Sequence, residues 1–261
     1  MKIATTRVTL GMPQLDVYTL SEDWALATSV EQVWILLAHS MECKPSDWID
    51  AKGDRMYCAV MALDIWFDLD DPFQEDDDVT IETEFLSIRK PHAWCEVRFS
   101  TGGRVKGCVR ALTSFIKRDE AGSNKRFSKV RDIWTADDFN SDIVDNLLIQ
   151  HHEAKTVLCD CKSVLDYEVN RIQDFNTADF LYFKNFVRIS KAAEWRENRA
   201  GQTRLNSHRL CYYFGNVEDG ETIRASVDRR GDDLTTELTD TDGKRLFLSR
   251  AIAPVVTIMQ R

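Results

Sequence analysis

Two stretches of the chain carry apolar residues at helical spacing. In residues 30–39 the apolar side chains cover a broad face, and Thr28-Ser29 stand before them as candidate N-cap residues. In residues 178–190 apolar side chains recur at positions 180, 183, 186, 187 and 189, with Asn176 or Thr177 as the candidate N-cap. Because the second stretch is apolar over most of its surface, we expect a sheet to wrap around this helix.

Strand-like runs of alternating residues follow each predicted helix. After the first they occupy residues 56–65, 79–88, 92–100 and 105–116, and after the second residues 210–214, 222–227, 234–238 and 245–256. Turn signals such as Thr241-Asp242-Gly243 favour antiparallel hairpins. The same order of one helix followed by four strands therefore occurs twice in the chain. It predicts an α+β fold, a double hot-dog, in which two tandem units each wrap an antiparallel sheet around a long helix.

The repeat also predicts where the units begin and end. The N-terminal unit takes residues 1–120, a connecting segment takes 121–165, and the C-terminal unit takes 166–261. Within the connection, residues 139–151 have the pattern of a further helix. A chain of 261 residues suits two units of roughly 100 to 120 residues each.

Charge and hydropathy narrow the classes of partner. The net charge is −9 and the basic residues are scattered, which argues against nucleic acid. The densest basic run is residues 125–131, and a solvated loop explains it better than a binding surface does. A surface that binds coenzyme A or an acidic carrier protein stays open as the alternative. No apolar run approaches the roughly 18 residues that span a bilayer, and no secretory signal follows Met1. We therefore expect a cytoplasmic protein that binds no membrane.

The cysteines do not predict a metal site. Their count of seven is odd, and in a reducing compartment we expect thiols that mostly pack in the core. Cys159-x-Cys161 lies close to His151-His152-Glu153, but this spacing matches no standard zinc pattern. No bound metal or organic cofactor is predicted.

No common nucleophile motif is present. The chain lacks Gly-x-Ser-x-Gly, a phosphate-binding loop, a dinucleotide fingerprint and His-Glu-x-x-His. His39 falls inside the first predicted helix and is expected to be structural, whereas His92 and His208 stay open as residues of a cleft. In paired hot-dog units we expect the ligand between the halves, near helix N-termini whose free N–H groups can face a carbonyl oxygen.

Tyr57 is a candidate functional residue at the start of a predicted strand. It follows the tight segment Gly53-Asp54-Arg55-Met56. An ordinary tyrosine hydroxyl has a pKa of about 10, so a nucleophilic tyrosine needs nearby donors or a cation. The side chains of Arg55 and Tyr57 are two positions apart, so they lie on the same face of the strand only if both residues are extended. From the residues alone, a purely structural role in the core stays open for Tyr57.

Three segments carry a family resemblance. Thr9-Leu10-Gly11-Met12-Pro13-Gln14-Leu15, then residues 20–27, then Gly53-Asp54-Arg55-Met56-Tyr57 resemble the bifunctional acyltransferase/decarboxylases of polyketide biosynthesis, of the leinamycin-pathway type. Asp174-Phe175-Asn176 and residues 181–186 are also similar to that family. The resemblance covers nearly the whole chain and is weakest between residues 118 and 165.

The resemblance implies a fold, a substrate and a partner. The implied fold is a double hot-dog, and the implied reaction transfers the acyl group of methylmalonyl-coenzyme A to an acyl carrier protein with loss of carbon dioxide. Tyr57 stands at the position of the family's proposed acyl acceptor. The residues expected to bind substrate are Gly11, Met12, Pro13, Gln14, Arg55, Asn176 and Thr177.

Two other functions stay open. A hot-dog thioesterase or dehydratase would use a carboxylate such as Asp174 or Asp179 to activate water or move a proton. A non-catalytic module would only bind an acyl thioester. The expected partners are an acyl-coenzyme A and an acyl carrier protein, and a homodimer is left open.

Overall fold

The computed structural model of the protein describes residues 3–131, 141–197 and 203–258. These residues form two compact units. Unit 1 takes Met1–Asp119 with Phe127–Ile149, and unit 2 takes Glu120–Arg126 with Gln150–Arg261, in each case as far as the chain is described. The predicted boundaries at residues 120 and 165 stay a prediction.

Unit 1 places one long helix against an antiparallel sheet. The sheet order is β1-β3-β4-β5-β2, and the short β6 pairs with β5. The helix α1 contacts β1, β3, β4 and β5, and its buried face includes Leu26, Val30, Val33 and Leu37. The elements are β1 (Ile3–Thr9), α1 (Glu22–Ser40), β2 (Tyr57–Phe67), β3 (Asp78–Arg89), β4 (His92–Thr101), β5 (Arg104–Arg118) and β6 (Phe127–Lys129), and the chain continues into α2 (Ser141–Thr156).

The first helix starts earlier than predicted. We expected Thr28-Ser29 to cap a helix over residues 30–39, but α1 begins at Glu22 and Ser21 is its N-cap, with the Ser21 side chain accepting from the Trp24 N–H. Glu22 and Asp23 follow in the first turn, where carboxylates favour a helix N-terminus. Ser29 lies inside the helix and is fully buried.

Unit 2 repeats the arrangement of a helix on an antiparallel sheet. The sheet order is β8-β11-β10-β9-β7. The helix α4 contacts β7, β9, β10 and β11 and buries Phe186, Val187 and Ile189. The elements are β7 (Lys162–Glu168), the single turn α3 (Arg171–Asp174), α4 (Phe183–Glu197), β8 (Thr203–Tyr213), β9 (Thr222–Arg230), β10 (Asp233–Thr239) and β11 (Arg245–Ile258).

The second helix starts later than predicted. We expected it over residues 178–190 behind Asn176 or Thr177, but α4 begins at Phe183. The Asn176 side chain instead accepts from the N–H groups of Ala178 and Phe180, which closes a turn. Asp179 within that turn has φ 62°, a left-handed value that no α-helix contains. Neither Asn176 nor Thr177 is therefore a helix cap.

A charged pair lies in the core of unit 2. The Arg209 guanidinium of β8 donates to both carboxylate oxygens of Glu194 in α4, at 2.7 and 2.9 Å. Ser249 and Thr236 complete the network, at 2.8 Å from Arg209 and 2.9 Å from Glu194. Only 4% of Arg209 and 7% of Glu194 is exposed. The two charged groups are thus hydrogen-bonded to each other and to two hydroxyl groups in a place where an unpaired charge would be costly.

Candidate active site around Tyr57

Tyr57 opens β2 on the sheet face that points away from α1. Its register partner is Ile116 of β5. Its neighbour Cys58 is buried beside Thr113 and beside Trp34 of α1, and burial raises the pKa of its thiol to about 12. Because successive side chains of a strand alternate between faces, Tyr57 lies opposite Cys58 across the sheet. Cys58 is therefore a poor nucleophile at neutral pH, whereas Tyr57 is half-buried at the end of the strand.

A guanidinium group contacts the Tyr57 phenol. The Nη1 of Arg118, at the end of β5, donates to the phenolic oxygen at 3.0 Å. Its Cζ also lies 5.1 Å from the centre of the Tyr57 ring. A fixed cation at this oxygen stabilises negative charge that develops there. Tyr57 therefore has a cationic donor at its phenolic oxygen, and its role as an acyl acceptor stays a prediction.

Arg55 is held beside the same ring. Its Cζ lies 5.7 Å from the ring centre of Tyr57, and its Nη2 donates to the Pro45 carbonyl at 2.8 Å. Nη1 donates to the Ser46 carbonyl. The structure thus brings Arg55 next to Tyr57, an arrangement that the sequence left conditional on both residues being extended. The two hydrogen bonds of Arg55 tie Tyr57 to the loop at residues 45–46, and the role of Arg55 in binding substrate stays a prediction.

The face that carries Tyr57 continues into a buried polar patch. Ala59 pairs with Ser114, and Ser114 pairs with His92, so all three side chains share that face. Ser114 lies diagonally from Tyr57, at a spacing on the order of 7–8 Å between such strand positions. Its hydroxyl is buried and has no hydrogen-bond partner among the described residues. A buried hydroxyl without a partner is costly, and Ser114 shares this state with buried residues elsewhere in the chain such as Ser29 and Ser190.

The tight turn before Tyr57 is fixed by one lysine. Lys117 Nζ lies 2.6 Å from a carboxylate oxygen of Asp50 and 2.6 Å from one of Asp54. The Asp50 carboxylate also accepts from the N–H groups of Lys52 and Asp54. The hydrogen bond from Lys117 is the largest cause that lowers the pKa of Asp50 to about 2. These bonds set the position from which β2 starts.

The low pKa of Asp50 predicts that the protein loses folding stability as the pH falls into the acid range. A depressed folded-state pKa adds stability in full above the ordinary aspartate pKa of 3.8, and that stability is lost as the pH falls toward 2. In Asp50→Asn we expect a lower melting temperature at neutral pH and a smaller further loss between pH 4 and pH 2, read by circular dichroism. The exposed Asp70→Asn is the control and should follow the wild type. Parallel curves for Asp50→Asn and wild type would contradict the assignment.

Residues 11–14 form a self-closed turn. The Gln14 side-chain oxygen accepts from the Gly11 N–H at 2.9 Å, and the Gln14 N–H donates to the Gly11 carbonyl at 3.1 Å. Met12 is 79% exposed, and Pro13 is exposed as well. The Gln14 carbonyl accepts from the N–H of Ser21, the cap of α1. Gly11, Met12, Pro13 and Gln14 thus lead into the helix, and their role in binding substrate stays a prediction.

The carboxylates proposed for an alternative chemistry are heavily bonded. Asp174 is fully buried and accepts from the Tyr167 hydroxyl, the Asn170 N–H and Arg188 Nη2, at 3.0, 2.8 and 2.5 Å. Asp179 pairs with Arg171 at 2.5 Å. Because its oxygens are occupied by donors, Asp174 is better suited to holding the turn before α4 than to taking a proton.

Asp174→Asn separates the structural role from a catalytic one. An amide in this place presents an N–H group to at least one donor, so we expect the free energy of unfolding to fall by about 1–3 kcal/mol. Turnover per folded molecule should stay near that of the wild type. Urea denaturation gives the first quantity and a thioester assay at low temperature gives the second. Full stability together with lost turnover would show that Asp174 is the base.

Comparisons with known proteins bear on the fold. No family model and no curated protein matches the chain. Among solved structures, the acyl-ACP thioesterase from Bacteroides thetaiotaomicron superposes with a TM-score of 0.68 at 10% identity, covering 96% of this chain and 97% of that one. The 12:0-ACP thioesterase from Umbellularia californica gives 0.69 at 11%, covering 97% and 98%. A MaoC-like dehydratase from Phytophthora capsici gives 0.50 at 11%, covering 97% and 96%.

The chain has a hot-dog-like fold. These likenesses, together with antiparallel sheets and few helices, confirm the predicted class at that level. They show nothing specific to the acyltransferase/decarboxylase family. No helix among the described residues is long and apolar enough to cross a membrane.

Arg118 is the residue of this site that the sequence did not reveal. It lies 61 residues after Tyr57, and only the pairing of β2 with β5 brings the two together. A predicted register for these strands would have found it, but alternation alone does not fix a register across a long loop. Asn176 and Thr177 belong to unit 2, and their predicted role in binding substrate is likewise still a prediction.

Proposed function

We propose that the protein is an enzyme that acts on acyl thioesters and that Tyr57 is its functional centre. The observation that carries the proposal is the hydrogen bond from the Arg118 guanidinium to the Tyr57 phenolic oxygen. The names of the similar structures support the class of substrate, since two of them are acyl-ACP thioesterases. The resemblance in residues 53–57 supports Tyr57 as the reacting group.

The finer proposal is transfer of a malonyl-type acyl group with decarboxylation. The phenolic oxygen attacks the thioester carbonyl, the carbon–sulfur bond breaks, and the phenol proton goes to the coenzyme A thiolate. In this attack the negative charge passes to the carbonyl oxygen, and Arg118 stabilises the charge that returns to the phenolic oxygen when the tyrosyl ester is cleaved. A carrier-protein thiol then attacks the tyrosyl ester and restores the phenol. We propose methylmalonyl-coenzyme A as the donor and an acyl carrier protein as the acceptor.

Decarboxylation needs the carboxylate of the bound acyl group to be poorly solvated. Loss of carbon dioxide leaves an enolate, which takes one proton to give the shorter acyl group. The half-buried Tyr57 and the buried Ser114 on the same face offer a site with limited water and a hydroxyl that can donate to the enolate oxygen. No metal or organic cofactor enters this scheme.

The second candidate is hydrolysis or dehydration of an acyl thioester. The solved structures favour it, because two of the similar proteins are acyl-ACP thioesterases and a third is a MaoC-like dehydratase by name. The geometry gives it weaker support, since Asp174 is held by donors and Asp179 is paired with Arg171. A hydrolase in this chain would need another base for water.

A product assay distinguishes the two candidates. The purified protein is incubated with malonyl-, methylmalonyl-, propionyl- and lauroyl-coenzyme A, with and without a phosphopantetheinylated carrier protein, and the products are weighed by mass spectrometry. We expect propionyl-carrier protein from methylmalonyl-coenzyme A. Free acids from all four donors, independent of carrier, would favour the hydrolase. Binding without turnover of any donor would overturn both candidates.

A further inference from the structure

Two cysteines and one carboxylate meet in unit 2. Cys159 and Cys161 lie in the connection between α2 and β7, and Glu237 lies in β10. One sulfur or oxygen atom from each lies within 4.8 Å of the other two. It is the only such group of histidine, cysteine or acidic residues found among the described residues. All three side chains are half-buried, so a small ion can reach them.

A single arginine contacts two of the three residues, Cys159 and Glu237, while the Cys161 thiol lies 3.8 Å from the Thr235 carbonyl oxygen. Arg245 Nη1 donates to the Ala154 carbonyl at 2.7 Å and Nη2 to the Val157 carbonyl at 2.8 Å, which fixes the segment before Cys159. Its Nε donates to one carboxylate oxygen of Glu237 at 2.5 Å, and its Nη2 lies 3.9 Å from the Cys159 sulfur. The second carboxylate oxygen of Glu237 accepts no hydrogen bond in the described part of the chain.

We propose that Cys159, Cys161 and Glu237 bind a thiophilic divalent cation, with zinc as the expected ion. Sulfur and carboxylate ligands are typical of zinc, with bonds of about 2.3 Å to sulfur and about 2.0–2.2 Å to oxygen. Three atoms that lie within 4.8 Å of one another need only small side-chain movements to reach these distances. A water molecule completes a tetrahedral set.

The charges of the site balance. Two thiolates and one carboxylate carry one more negative charge than a divalent cation neutralises, and the Arg245 guanidinium supplies the missing positive charge. Arg245 contacts a sulfur and a carboxylate oxygen, as groups around a metal site commonly do to orient the ligands. The bound ion would fasten the connection before β7 to β10.

The sequence predicted no metal here because the third ligand is distant along the chain. Cys159-x-Cys161 matches no standard zinc spacing, and the neighbouring His151 has another contact, since its Nε2 lies 2.8 Å from the Tyr213 carbonyl oxygen. Glu237 joins the two cysteines only through the fold. The proposed site is separate from Tyr57 in its residues and its chemistry, so its test is independent of the proposed function.

Cadmium titration tests the site directly. The full chain is kept reduced with a phosphine, freed of metal, and titrated with Cd²⁺ while the thiolate-to-cadmium absorption band is followed. We expect one ion per chain, competition by Zn²⁺, and loss of the band in Cys159→Ser and in Cys161→Ser. The half-buried Cys43→Ser and Cys108→Ser are matched controls and should keep it. Glu237→Gln should keep the band and bind more weakly.

Three results would overturn the proposal. The first is a wild-type protein that binds no Cd²⁺ or Zn²⁺ after equilibrium dialysis. The second is an unchanged band in the double variant of Cys159 and Cys161. The third is equal affinity in Glu237→Gln and wild type. Far-ultraviolet circular dichroism checks that each variant is folded, and Glu237→Gln keeps the test decisive if a serine variant fails to fold.

Discussion

Tyr57→Phe is expected to reduce acyl transfer to the level of a protein-free blank. The substitution removes only the phenolic oxygen that Arg118 contacts at 3.0 Å. Arg118→Met leaves that oxygen in place but removes the donor, so we expect turnover to fall by on the order of 10²–10³-fold. Both effects should appear in kcat, because the charge that Arg118 stabilises develops in the transition state. Steady-state assays with methylmalonyl-coenzyme A and carrier protein measure them.

Tyr18→Phe is the matched control. Tyr18 belongs to the same unit, and its hydroxyl donates to the Leu69 carbonyl at 3.1 Å. The substitution therefore removes the same phenolic oxygen but breaks only a structural hydrogen bond. We expect turnover close to that of the wild type and a small loss of stability. If Tyr57→Phe turned substrate over as fast as Tyr18→Phe and the wild type, Tyr57 would have no role in the reaction.

Arg209→Met is expected to cause the largest loss of stability among the variants considered. It leaves the Glu194 carboxylate buried without its bidentate partner, and breaking a buried pair costs about 3–5 kcal/mol. The free energy of unfolding by urea, with the slope of the transition checked, gives the value. A loss near that of an ordinary surface substitution would show that Glu194 is solvated in the native state.

The double variant isolates the pair. Replacing Glu194 by Leu together with Arg209→Met removes both charges, and we expect it to recover most of the stability, since an apolar pair of similar volume is often as stable as the buried ion pair. Arg98→Met on the other unit is the control. Its guanidinium pairs with Glu84 and Glu96 in a partly exposed position, where a salt bridge contributes about 0–1 kcal/mol.

The strands could be predicted from the sequence because their alternation is clear. The runs predicted at residues 79–88 and 92–100 became Asp78–Arg89 and His92–Thr101, each within a residue of the prediction. The repeated order of a helix and antiparallel strands was sufficient to predict a hot-dog-like fold. The prediction of two units agrees with the two compact units of the structure. The finer assignment to a double hot-dog rests on the sequence repeat alone.

Helix starts and long-range partners could not be predicted in the same way. Apolar periodicity marks the buried middle of a helix and not its ends. The prediction therefore missed the start of α1 at Glu22. It also counted as helix the turn that Asn176 closes before α4. Tyr57 was identified through a resemblance, but its partner Arg118 depends on strand register. Glu237 likewise meets the two cysteines only in the folded chain.

Intact-protein mass spectrometry after brief exposure to methylmalonyl-coenzyme A tests the central claim most directly. The protein is quenched in acid, weighed, digested and mapped, with Tyr57→Phe and Cys58→Ala treated in parallel. The proposed function predicts an acyl adduct on the peptide that contains Tyr57, present in Cys58→Ala and absent in Tyr57→Phe. If the wild type turns the substrate over and carries no adduct, or carries it on Cys58, then Tyr57 is not the acyl acceptor.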